Sequence, residues 1–379
     1  MNSKLVRIST FAMVAALACG GGAVGACGGN GSKPPTPPTD GAGSSTGPAS
    51  GKSATPGPTT SGSASAKPEL AGPTAPTSSD EVNKGIAALK GGDVNGAKSL
   101  FETAIQKNPK AADAHHYLGV ALDQTGDRAG AEKAYKKALE LQPDLEESAV
   151  NLSAILIDSG KFDEAIDLMK KAIAKNAKNP QLQVNLAAAL SGKGDLPGAN
   201  KAFEDAIKLA PNDGIYLVSY AQHLAKNNKK DDAVAKLKQA EKIAANDVGV
   251  LASIATEYRA MKDFKTCIAV MDKAIGLKDA AELRIYRGTC KLGLKDLPGA
   301  LSEFKDAVAK EPKYVGGHYY YANALADNGK LEEAIAEWQK FLELAPNAPQ
   351  AKNVAAKIEV AKKKLAGGGG KPKPDAPKK

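Results

Sequence analysis

A very small side chain recurs every 34 residues along this 379-residue chain, and no other feature constrains the fold as tightly. The series runs Gly85, Gly119, Ser153, Ala187, Ala221, Ala255, Gly288 and Ala322, with a single step of 33 between Ala255 and Gly288. Twelve residues after each stands a second small residue, alanine in every unit except the sixth, where it is Cys267. Sixteen after each stands a large apolar one, from Phe101 and Tyr135 through Met271 to Trp338. Small residues let two helices approach closely, and large ones fill the space beside the approach. In the unit Ala112–Leu145, Ala131, Tyr135 and Ala138 share one helical face, because they are spaced by four and three. Gly126-Asp127 marks a turn and helix start, and Pro143 marks a helix end. Each unit therefore reads as two amphipathic helices folded back on one another. A lone hairpin cannot bury its apolar face, so the repetition predicts an all-α solenoid with one continuous core.

A 34-residue period with small, small, large and small side chains at fixed offsets resembles the tetratricopeptide repeat family. The resemblance covers eight units over 78–348. The chain departs from the pattern at Cys267, at Phe341, where a small residue is usual, and in the shortened sixth unit. The resemblance implies a right-handed superhelix of helix hairpins whose first helices line a concave groove holding protein partners. Carried over by position, the groove residues are Val150, Asn151, Val184, Asn185, Val218, Ile285, Tyr286, Tyr319, Tyr320 and Asn323. Some members grip a C-terminal carboxylate with lysine at the fifth position of a unit and asparagine at the ninth. Here no fifth residue is lysine, and Asn323 alone supplies the asparagine, so that clamp is not expected. The tyrosines suit partner recognition by offering area and a hydroxyl. The valines equally suit packing between adjacent helices.

The ends read differently. Lys4 and Arg7 precede an apolar run, Ile8–Ala18, too short to span a bilayer, and the whole of 1–27 reads as a targeting segment. Small residues lead into Cys19 and again into Cys27, and each site resembles a bacterial lipobox, in which the cysteine is lipidated. Both cysteines remain candidates, and an ordinary secretory cleavage after Ala18 fits the same residues. Residues 28–77 are Gly/Pro/Ser/Thr-rich with too little apolar content to fold, and such a coil spans about 40 Å. Residues 349–366 read as a helix capping the last exposed face of the solenoid, and 367–379 as a basic tail.

The formal charge of +9 would suggest nucleic acid until it is located. The array 78–348 holds 37 basic and 38 acidic side chains, so the excess sits on the two ends and no nucleic-acid footprint is expected. His115 and His116 are adjacent and point about 100° apart on a helix, which does not suit shared metal ligation. The stretch Gly91–Ser99 departs from a phosphate loop at Ala97, and no strand precedes it. Acid pairs such as Glu332-Glu333 sit at helix starts, where they complement the dipole. No enzyme, cofactor or metal centre is expected. Cys267 and Cys290 fall on neighbouring helices of units six and seven. They fit either a disulfide, permitted in an exported protein, or two small buried fillers.

Together these features predict a membrane-anchored scaffold of the bacterial envelope, and the oligomeric state stays open. The residue after either candidate cysteine is glycine, which by the enteric sorting pattern favours the outer membrane, with the array facing the periplasm. Lipoproteins of this plan resemble those assisting pilus secretins and outer-membrane assembly. Recruitment of a cell-wall enzyme, with the tail touching polymer, is the alternative.

Overall fold

A computed structural model describes residues 79–367. The targeting segment, the tether 28–77, both candidate lipidation cysteines and all but the first residue of the tail lie outside the described residues. Seventeen helices and no strand occur among them. They form eight antiparallel hairpins: α1 (Asp80–Lys90) with α2 (Val94–Lys107), α3 (Ala112–Gln124) with α4 (Arg128–Leu141), α5 (Glu146–Asp158) with α6 (Phe162–Lys175), and α7 (Pro180–Lys193) with α8 (Leu196–Leu209). The series continues with α9 (Gly214–Lys226) and α10 (Lys230–Ile243), α11 (Val248–Ala260) and α12 (Phe264–Leu277), α13 (Ala281–Gly293) and α14 (Leu297–Lys310), then α15 (Val315–Asp327) and α16 (Leu331–Leu344). A lone helix, α17 (Ala351–Ala366), follows as the sequence leads one to expect.

The hairpin turns explain themselves locally. At Gly126 the backbone turns left-handed with φ of 86°, and the Asp127 side chain then accepts from the Gly130 amide at 2.9 Å to cap α4. Asp93, Asp195, Asp263 and Asp296 cap their helices in the same way. Units five to seven lack a glycine in the turn, yet the turn keeps its shape. Asn228, Lys262 and Lys295 adopt φ of 60°, 62° and 63° there. The 33-residue step also has a local cause: α12 and α13 are joined by 278–280, three residues where other units use four.

Within a unit the recurring small residue sets the spacing. A Cβ added at Gly119 would stand 2.6 Å from Cε1 of Tyr135, so the ring lies directly on the backbone of α3. Ala131, Tyr135 and Ala138 are all fully buried along the facing stripe of α4. Between units, each second helix packs on the next first helix, and first helices also touch one another, as α5 does α7 and α9 does α11. Successive second helices make no comparable contact. First helices therefore occupy the inner, concave side of the curve. Phe341, the departure at the last unit, is buried against Tyr319 at 5.5 Å and joins the cluster of Val354 and Ile358 from α17.

Candidate functional site

The inner face is built from the first helices, and neighbouring ones pack closely enough to swallow much of what they carry. Val150, Val184, Val218 and Ile285 are buried, at 2 to 6 % exposure, between successive first helices. They belong to the core, which corrects the expectation that they line the groove. The two asparagines are corrected likewise. The Asn185 amide donates to the Val150 carbonyl at 3.1 Å and to Ser153 Oγ at 2.7 Å, tying unit four to unit three. Asn151 donates to the Tyr135 hydroxyl at 3.4 Å, and both asparagines are 5 % exposed or less. Tyr286 is also buried, and burial raises its hydroxyl pKa, helped by the nearby Glu282 charge.

The accessible row lies four residues further along each helix. Ala154, Ala188, Gln222, Thr256, Thr289 and Asn323 are each partly exposed, at the same place in successive units from the third to the eighth. The hydroxyls of Thr256 and Thr289 donate to backbone carbonyls of their own helices, Ala252 at 2.9 Å and Tyr286 at 2.7 Å. Their oxygens keep acceptor capacity, and their methyls add apolar area. The row carries no charge along this run.

One titrating group stands beside it. Glu257 on α11 accepts from Gln222 Nε2 at 3.1 Å, linking the fifth and sixth units. Burial pushes its carboxyl up to about 6, against the opposing influence of the Gln222 bond and the Lys226 and Arg259 charges. Burial also lowers the Lys226 ammonium from its ordinary value.

At the C-terminal end the helix cap takes part. Of the expected groove residues, Tyr319, Tyr320 and Asn323 are partly exposed. They are already engaged within the chain. Asn323 Oδ1 accepts from Trp338 Nε1 at 3.2 Å and from Lys357 Nζ of α17 at 2.8 Å. The Lys357 ammonium sits 5.6 Å from the Tyr319 ring centre and 5.8 Å from that of Trp338. Tyr320 leans on Phe304 at 6.1 Å. Lys357 follows Asn323 by 34 residues and so is the next member of the exposed row.

Two arrangements near the unit six–seven boundary complete the picture. Cys267 on α12 and Cys290 on α13 are joined as a disulfide, with Cα atoms 6.3 Å apart. On the outer side, the buried Glu303 carboxylate meets Arg287 and Lys291, each at 2.7 Å, with Arg284 at 3.5 Å. Burial alone would raise the Glu303 carboxyl, but Arg287 and Lys291 hold it below the usual range. This network was not anticipated from the sequence. Its signal was there: Arg287 and Glu303 take slots filled by Leu152 and Leu168 in unit three. No group of three or more metal-ligating side chains occurs among the described residues. His116, fully buried, bonds Ser148 Oγ at 2.8 Å.

Comparison with known proteins gives a consistent result. Two family models described as tetratricopeptide repeat match residues 87–245 and 291–358. The crystal structure of yeast Tom70 is similar over 79 % of this chain and 68 % of that one, with a TM-score of 0.61 and 20 % identity. A tetratricopeptide repeat protein from Parabacteroides merdae aligns over 65 % of this chain and 98 % of that one, at 15 % identity and a TM-score of 0.46. MamA from Desulfovibrio magneticus aligns over 45 % of this chain and 99 % of that one, at 16 % identity and a TM-score of 0.40. No curated protein matches the sequence at a significant level.

Proposed function

The chain belongs to the tetratricopeptide repeat family of protein-interaction scaffolds, and from that premise we propose that its concave face holds an extended or helical segment of a protein partner while its N-terminus anchors it in a bacterial envelope. There it assists assembly of a multi-protein complex, of the pilus, secretion or outer-membrane kind. The observation that carries this reading is the uncharged row from Ala154 to Asn323. Small side chains give the room, and amide and hydroxyl groups offer hydrogen bonds to a peptide backbone without demanding a charged partner. The anchoring half rests on the basic and apolar start of the sequence and the small residues before Cys19 and Cys27.

The test uses the full chain. Proteins co-purifying from detergent-solubilised envelope are quantified for wild type, for a Gln222→Arg/Thr256→Arg variant, and for a chain lacking 368–379. The groove variant should lose the partners that the tail deletion keeps, and wild-type capture should depend weakly on salt. Tail deletion abolishing capture while the groove variant binds normally would move the function to the tail. For the anchor, the wild type should partition into the detergent phase, and the Cys19→Ser/Cys27→Ser variant should not. A soluble, unmodified mature chain would end that part of the reading.

A further inference from the structure

An open depression among the described residues lies on the outer side, away from the groove. It is an open hollow of about 480 Å³ bounded by α2, α3 and α4. Ile105, Leu118, Leu122 and Ala134 form its apolar floor and walls, and Lys133 and Lys137 stand on its rim. Its cause is local: Gly130 and Ala134 are small, whereas Leu168 fills the slot of Ala134 in the next unit.

The chain itself holds a matching occupant. Between Val24 and Asp80 the sequence contains one large aliphatic or aromatic residue, Leu70, and immediately before it Glu69, one of two acids in that stretch. In a segment otherwise made of small and polar residues, a lone Glu-Leu pair is a discrete anchor. The geometry brings it within range. The ion pair of Glu81 with Lys107 places the start of α1 beside the C-terminal end of α2, and Ile105 lies within the last turn there. The ten residues from Leu70 to Asp80 reach up to about 33 Å when extended, longer than the whole of α2 at about 21 Å. Of the rim lysines, Lys137 already pairs with Glu140 at 2.9 Å, whereas Lys133 has no ion pair among the described residues and is left to complement Glu69, away from Glu102 on the far lining.

We propose that Glu69-Leu70 docks into this hollow, Leu70 on the apolar floor and Glu69 toward Lys133. The leucine removes apolar surface from water on both sides of the contact. The connecting stretch is short, so docking is intramolecular and proceeds at a high effective concentration. The docked pair shortens the free tether and fixes where it leaves the array, on the side opposite the partner groove.

Photo-crosslinking in the full chain tests this. With p-benzoylphenylalanine in place of Leu70, intramolecular crosslinks should concentrate on 102–137, and the same probe in place of Thr60 should give none there. Ala134→Leu fills the hollow with a side chain that this repeat already carries as Leu168, and far-UV helicity should be unchanged. It should reduce the crosslinks from position 70 to the level seen from position 60. Crosslinks from position 70 that scatter as those from position 60 do, that survive Ala134→Leu, or that form only between chains would overturn the proposal.

Discussion

Glu257 offers a sharp test of the inner face, through Glu257→Gln. Its carboxyl rises from an ordinary 4.5 to about 6, because burial beside Gln222 disfavours the charge more than Lys226 and Arg259 favour it. At 1.36 kcal/mol per tenfold change in acidity, that rise corresponds to about 2 kcal/mol, and partial solvent access discounts it to about 1–2 kcal/mol. The sign follows from proton binding. The folded state holds this proton more tightly than the unfolded state, so stability falls as pH rises from about 4.5 through about 6. Above that window the ionised, poorly solvated carboxylate is a standing cost. Glutamine keeps an oxygen for the Gln222 amide and removes the charge. The variant should therefore be more stable than wild type by about 1–2 kcal/mol near pH 7.5 and indistinguishable from it near pH 4. The assay is urea unfolding at both pH values, joined to native-state hydrogen exchange, because a linear array loosens by segments. The gain should appear in the amides of α9 to α13. A variant less stable than wild type at the higher pH would refute the reasoning: the carboxylate would then act as a net ion-pair partner of Lys226 and Arg259.

Two further outcomes are expected. Lys262→Gly and Lys295→Gly relieve a left-handed backbone at a lysine, and after glycine's entropic cost each should raise stability by about 0.5 kcal/mol, whereas Gly126→Lys should lower it by about 1 kcal/mol, all read from denaturant midpoints. A non-reducing peptide map of the full chain purified without reductant should join Cys267 to Cys290, and Cys267→Ala/Cys290→Ala should cost about 2–4 kcal/mol, felt in units six and seven first; two freely alkylated thiols in the wild type would leave only the packing role.

What the sequence made legible was whatever a slot in the repeat decides alone. Gly119 against Tyr135, the Asp127 cap, the stop before Pro143 and the final lone helix each depend on residues a few positions apart or in one hairpin. The inner face depends on how deeply one first helix sinks against the next, and periodicity does not encode that depth. Val150 and Val184 were read at the right positions, yet adjacent helices close over them. Asn185 carries an amide that suits a partner equally well, but it reaches Ser153 first. Tyr319 and Asn323 stay partly exposed, but an expected capping helix gave no reason to place Lys357 on them. The left-handed lysines were equally hidden, because the packing of α11 on α12 and α13 on α14 imposes that turn whatever residue occupies it.

The link between α12 and α13 also has a mechanical meaning. In a solenoid each hairpin is held only by its neighbours, so force applied along the array peels helices one pair at a time from the pulled end. An array tethered at its N-terminus and loaded at its C-terminal units would shed α1 and α2 first and extend as it did so. At the boundary of units six and seven the covalent bond between Cys267 and Cys290 crosses from one hairpin to the next, as does the ion pair of Arg287 with Asp272 at 2.6 Å. The residues between the two cysteines cannot lengthen under tension, so a load that reaches this boundary passes through the covalent bond. The bridge thus holds most of α12 and α13 together under load, while the hairpins on either side of it can still pay out.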